Sequence, residues 1–161
     1  MWCLGRLIGE KKCFVSSIWY LVMADKINDY VDLKVWQKAM ALVVDVYGVT
    51  EVFPRKEQYR LTDQLCRSVV SVPSNIAEGS ARRSTKDYVR FSNIAYASLM
   101  ECETQLRIAH SLHYIDEVTL MRLLQLSREI ARMLNALITS LKKKVSPVEH
   151  STKYQLLNTK Y

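Results

Sequence analysis

The stretch SVPSNIAEGSARRSTKDY, residues 71–88, decides how this chain folds. A proline stands inside an apolar run with helical spacing, and an acid, a glycine and two adjacent arginines follow. Proline removes one backbone donor and crowds the carbonyl four residues earlier, so helix two is expected to kink at Pro73. Gly79 is expected to end that helix in the left-handed conformation. These features favour a corner between two helices over a catalytic loop.

Polar residues around the corner agree with this interpretation. Glu78 opposes the dipole at the C-terminus of a helix, so it needs a cationic partner, and Arg82 or Arg83 is the nearest candidate. Asn75 and the neighbouring serines can pair with backbone groups that the kink frees. The corner is therefore predicted to be held by its own side chains.

Outward from the corner, apolar residues at three-and-four spacing predict four helices. Helix one is expected from about Leu33 to Val49, and helix two from near Arg55–Lys56. Helix three begins at Ser84, where Ser84 and Asp87 fit a capping box, and helix four follows a short turn. The predicted core positions are Trp36, Met40, Val43 and Tyr47 in helix one; Tyr59, Thr62, Cys66, Val69 and Ile76 in helix two; Phe91, Ala95, Ser98, Cys102 and Ala109 in helix three; Leu120, Leu124, Ser127, Ala131, Leu134, Ile138 and Leu141 in helix four.

Short connections between long helices imply antiparallel neighbours, so residues 31–145 are predicted to form an all-α, up-down-up-down four-helix bundle. The composition agrees, since 49% of the 161 residues are hydrophobic and only 4 are glycine. Residues 146–161 lack periodicity and are expected to be a flexible tail. Residues 1–30 are an extension that is either a signal-like segment or the product of a start upstream of Met23. Its apolar run is too short to span a membrane.

Helices three and four carry more apolar surface than one stripe each. The extra positions are Ile94, Ala97 and Leu99 in helix three, and Leu123, Ile130 and Leu137 in helix four. A monomer would leave a second stripe in water, which favours self-association. A wider core-facing side is the alternative.

Composition and spacing give little support to catalysis. The four cysteines form no metal-binding or disulfide pattern, which indicates reduced cysteines in a cytoplasmic protein. His110 and His113 lie three residues apart but lack a third ligand, so no metal site and no cofactor are expected. The net charge of +7 and pI of about 9.3 suit an anionic partner such as nucleic acid, or serve solubility.

Six basic residues are the candidate nucleic-acid contacts. Two precede the N-terminus of helix three, where free amides favour an anion, and two more lie four apart on that helix. The remaining two lie one heptad apart on helix two. Holding the corner's acids is an alternative role for the first group. The six are Arg60, Arg67, Arg82, Arg83, Lys86 and Arg90.

Three strings carry a resemblance to a known family: DLKVWQKAMALVVDVY, YRLTDQLCRSVVSVPSNIAEGSARRS and YVRFSNIAYASLMECETQL. Over about residues 32–141 the chain resembles the 23S rRNA intervening-sequence proteins, also called the S23 ribosomal protein family. That family includes the accessory variability determinant proteins of diversity-generating retroelements. The resemblance implies an antiparallel four-helix bundle, a barrel-like homopentamer and a basic surface suited to nucleic acid, and it does not imply an enzyme.

The sequence therefore predicts a non-enzymatic, oligomeric protein that binds RNA or DNA, either encoded in a ribosomal RNA intervening sequence or accessory to a reverse transcriptase. The alternative is an adaptor that binds other proteins and makes no contact with nucleic acid. No membrane partner is expected.

Overall fold

The computed structural model describes residues 29–145. Four helices account for most of this range, and a single 3-10 turn precedes each of the first two. The helices are α1 (Lys34–Thr50), α2 (Leu61–Ser80), α3 (Thr85–Ser111) and α4 (Glu117–Val145), and the 3-10 turns are Tyr30–Asp32 and Arg55–Glu57. The expectations for residues 1–28 and for the tail after residue 145 lie outside the described residues.

The helices pack as a square in which each contacts the next along the chain and α4 contacts α1. This confirms the all-α prediction, since the described part of the chain contains four helices and no strand. The core lies on the common axis, and its largest fully buried side chains are leucine, isoleucine and valine. These are Leu42, Leu65, Ile76, Leu99, Leu106, Leu123, Leu124, Ile130, Leu134, Val46, Val69 and Val72.

In α1 the predicted core stripe is wrong by one residue. The buried positions are Val35, Ala39, Leu42 and Val46. Two of the predicted positions pack only at the edge of the core, and the other two are largely in solvent. Trp36 and Val43 are the edge positions, whereas Met40 and Tyr47 are 38% and 48% exposed.

Two ion pairs join α1 to α4 beside the buried stripe of α1. Lys38 donates to Glu129 at 2.7 Å, and Arg122 donates to Asp45 at 2.5 Å. The Lys38 ammonium beside Glu129 lowers the pKa of that carboxyl. Both central charges of α1 therefore face α4, and the adjacent apolar stripe is the one that is buried.

The start of α2 also differs from the prediction. The helix begins at Leu61, after a separate 3-10 turn, and Tyr59 is 85% exposed instead of lying in the core. The buried aromatic of this connection is Phe53, whose ring lies 5.4 Å from that of Tyr114. The Tyr114 hydroxyl donates to the buried Glu57 at 3.2 Å. These contacts hold the connection between α1 and α2, and α2 starts after it.

The second stripe on α3 and α4 is mainly core. Leu99, Leu123 and Ile130 are fully buried within one copy of the chain. Of the six positions, only Ile94 and Ala97 are exposed, and Leu137 is half-buried. The wider core-facing side therefore explains most of this apolar surface, and the argument for self-association from these helices does not hold.

Small polar residues line the contact between α2 and α3. Ser68 donates to Gln105 at 2.7 Å, and the hydroxyls of Ser71 and Ser98 lie 2.9 Å apart. Burial raises the pKa of the neighbouring Cys102 thiol to about 12, so it stays protonated. The hydroxyls of Ser71 and Ser98 are short and hydrogen-bond to each other, so the two helices can approach closely without leaving these partly buried polar groups unpaired.

Gly79 does not adopt the left-handed conformation that was predicted for it. It lies buried in the last turn of α2, and a β-carbon there would stand 2.8 Å from Tyr88 Cδ2 and 2.9 Å from Phe91 Cβ. The glycine is therefore required by the close approach of α3. The left-handed helix end occurs at the opposite end of the bundle, where His113 has a φ of 59° after α3.

Replacing Gly79 with alanine is expected to lower the free energy of unfolding by about 1–3 kcal/mol, because the new methyl group overlaps an aromatic ring and a β-carbon. Gly48 in α1 is the matched control, since its added β-carbon would meet nothing within 4 Å. Gly48→Ala should stabilise the protein by up to about 1 kcal/mol through helix propensity. Thermal and denaturant melts of both variants measure this, and equal stabilisation by both would contradict the packing role of Gly79.

Candidate nucleic-acid interface

The corner between α2 and α3 keeps its shape through short-range hydrogen bonds. α2 runs unbroken through the buried Pro73, and Asn75 donates to the carbonyl oxygen of Ser71 at 2.8 Å. Ser84 caps α3 by accepting from the amide of Asp87 at 3.4 Å. The reciprocal half of the predicted capping box is not formed in this part of the structure. These hydrogen bonds join residues of the corner to one another.

Two arginines of the corner share one aromatic ring. Arg82 pairs with Glu78, which makes it the predicted cationic partner, and its guanidinium lies 4.8 Å from the centroid of the Phe91 ring. Arg90 lies over the same ring at 4.9 Å. An arginine over an aromatic face gains a cation–π attraction of about 0.5–1 kcal/mol at exposed sites. Phe91 therefore holds two positive charges in fixed positions at the start of α3.

The other two basic residues of the corner have no partner. Arg83 and Lys86 are exposed, and neither forms an ion pair or hydrogen bond within residues 29–145. Both lie at the N-terminal end of α3, where the helix dipole adds positive potential. We call Arg82, Arg83, Lys86 and Arg90 the basic corner. Its charges divide into two that are anchored and two that are free for an anion.

The structure brings a further cation to this end of the bundle. Lys144 of α4 lines a cleft together with Ser80 and Ala81, the residues that lead into the basic corner. In the sequence, residues 142–144 suggested only compensation of the α4 dipole. No local signal could have shown their position, because it follows from α2 and α4 running in the same direction, so that both helices end at the same end of the bundle.

Arg60 and Arg67 are not part of the basic corner. Arg60 precedes α2 and lies about 30 Å from the corner along that helix, at about 1.5 Å per residue. Arg67 pairs with Asp63 at 2.6 Å on an exposed face. The six predicted residues therefore form one cluster of four and two separate positions.

At the opposite end of the bundle, a cleft of about 600 Å³ is lined by His110, His113 and Asp116. His110 lies 3.0 Å from Glu117, and Glu103 accepts a hydrogen bond from Ser127 at 2.7 Å. Across residues 29–145, no group of three or more histidine, cysteine or acidic side chains could hold a metal ion. None of the helices described is long and apolar enough to cross a membrane.

One solved structure has a similar fold over most of the described range. It is a protein of unknown function from the S23 ribosomal protein family of Bacteroides thetaiotaomicron VPI-5482, with a TM-score of 0.60 and 24% sequence identity. The match covers 65% of this chain and 97% of that one. No curated protein matches the chain.

A family model matches residues 31–136, which comprise α1, α2, α3 and most of α4. The match therefore includes the corner, the polar contact between α2 and α3, and both ion pairs that join α1 to α4. With about two thirds of its length matched, this chain belongs to the family of 23S rRNA-intervening sequence proteins.

Proposed function

We propose that this protein is a non-enzymatic, oligomeric nucleic-acid-binding protein whose phosphate contacts are made by the basic corner. The observation that carries the proposal is the pair of unpartnered cations, Arg83 and Lys86, beside two arginines anchored on Phe91. Exposed cations at a helix N-terminus are suited to phosphate oxygens, because the free amides there also favour an anion.

Membership of the family supports an RNA-linked role, since the family is described by its ribosomal RNA intervening sequence. The protein acts either as the product of such a sequence or as an accessory subunit that also contacts a reverse transcriptase. The genes that flank it distinguish the two settings. In both, the protein supplies binding and not catalysis.

The proposed self-association uses the side of the bundle formed by α1 and α2. Met40, Val44 and Tyr47 lie on one face of α1 at helical spacing, with Val44 69% exposed. Thr50 lies 3.9 Å from Cys66, so the antiparallel register places Val70, which is 38% exposed, beside this face. We call these four residues the apolar side. Copies of a chain with a net charge of +7 repel one another overall. Both central charges of α1 are paired with α4, so they do not lie on the apolar side where two copies would meet.

An adaptor that binds only other proteins is the second candidate, and the apolar side is the observation that favours it. The two functions differ in their response to salt. Phosphate contacts release counterions, so nucleic-acid affinity falls steeply with salt concentration, whereas apolar docking responds little.

Changing Arg83 and Lys86 together to glutamine is expected to weaken RNA and DNA binding to a similar extent for all sequences. Each lost phosphate contact should lower the slope of log affinity against log salt by about one unit. These two residues are the best choice because neither holds Glu78 or Phe91, so the fold should be unaffected. The measurement is a salt titration of affinity by fluorescence anisotropy, with a thermal melt to check folding.

Arg107 and Arg128 provide a control of equal charge. Both are exposed on α3 and α4, and neither has an ion pair or hydrogen bond in the described range. Changing them to glutamine should leave the slope nearly unchanged. An equal loss in both double variants would show that overall charge and not the corner determines binding.

Val44→Lys is expected to dissociate the oligomer, because it places a charge in the centre of the apolar side. Ile94→Lys on α3 is the matched control, since Ile94 is 39% exposed and lies outside that side. Sedimentation velocity at micromolar concentration measures the assembly of both variants and of the unchanged protein. A monomeric unchanged protein, or dissociation by Ile94→Lys alone, would contradict the proposed interface.

A further inference from the structure

A cleft of about 510 Å³ opens at the end of the bundle that carries the basic corner. Four chain segments form it: the 3-10 turn before α1, the end of α2, the first turn of α3 and the last turns of α4. We call it the end cleft. Its volume is within the range of about 300–1,000 Å³ that is typical of small-molecule sites.

The end cleft combines apolar side chains with polar groups that lack partners. Leu33, Leu137 and Leu141 supply the apolar surface. The Tyr88 hydroxyl and the Lys144 ammonium form no hydrogen bond or ion pair within residues 29–145. Apolar walls with a few convergent polar groups are the usual composition of a binding site for a small organic group.

Tyr88 is held in place by the helix packing described above. Its ring edge lies against Gly79, where even a β-carbon would come within 2.8 Å. Partial burial raises the pKa of its phenol, so the hydroxyl remains a hydrogen-bond donor at neutral pH. The cleft therefore has a rigid aromatic wall that ends in a donor.

We propose that the end cleft binds one unpaired nucleotide of the strand whose phosphates the basic corner contacts. The aromatic and leucine surfaces suit the faces of a base, and Lys144 supplies positive charge for its phosphate. A base within a duplex is stacked and paired, so only an unpaired one can enter. This inference rests on the proposed function and adds to it a preference for single strands.

Ser140 allows the cleft to be filled without removing a core side chain, because it lines the cleft on the exposed side of α4. Ser140→Trp should weaken binding of a single-stranded oligonucleotide by about tenfold, the loss of one stacked base. Binding of a blunt duplex with the same number of phosphates should change by less than about twofold. Thr139→Trp is the matched control, because Thr139 is the preceding residue of α4, is exposed and lies outside the cleft. It should change neither the single-strand affinity nor the duplex affinity.

The same assay separates this inference from the proposed function. Arg83→Gln with Lys86→Gln should weaken both probes, whereas Ser140→Trp should weaken only the single strand. If the unchanged protein binds neither probe, both proposals are wrong. If both probes bind and Ser140→Trp leaves the single-strand affinity unchanged, the end cleft is not a nucleotide site, although the basic corner is retained. Should Ser140→Trp fail to fold in a thermal melt, the smaller Ser140→Phe takes its place with the same expected selectivity.

Discussion

The contact between Gly79 and the first turns of α3 is the constraint on which the basic corner depends. Because Gly79 has no side chain, Tyr88 and Phe91 lie directly against α2. Phe91 in turn supports the guanidinium groups of Arg82 and Arg90. A larger residue at this position would move α3 away from α2, and the spacing of the basic corner would change with it. The packing of α3 against Gly79 therefore determines where the charges of the basic corner lie.

The four helices could be predicted from the sequence because their apolar residues recur at helical spacing. The side that α1 turns to the core could not, because its apolar residues extend around much of the helix and fit two stripes. In the structure Lys38 and Asp45 face α4, and their partners Glu129 and Arg122 lie 91 and 77 residues away. Contacts at that separation leave no trace in local periodicity. The same limit explains why a second stripe on α3 and α4 was interpreted as an interface when most of it is core.

Some features of the candidate site could likewise be predicted from the sequence, and others could not. The pairing of Glu78 with Arg82 follows from a spacing of four residues, so local reasoning identified it. The role of Gly79 depends on aromatic residues in the next helix, and a glycine near a helix end is equally typical of a left-handed cap. The position of Lys144 beside the corner depends on α2 and α4 ending at the same end of the bundle. Neither could be read from residues 71–88 alone.

The ion pairs, the apolar side, and the basic corner with its cleft occupy different parts of the bundle. The ion pairs lie between α1 and α4, the apolar side lies on α1 and α2, and the basic corner and end cleft lie at one end. Copies that associate through the apolar side therefore leave their basic corners uncovered. In the proposed assembly, several modest phosphate sites would act at a high effective concentration, provided that one strand can reach more than one of them. Weak individual contacts are then sufficient, which is consistent with a corner that offers only two unpartnered cations in each copy.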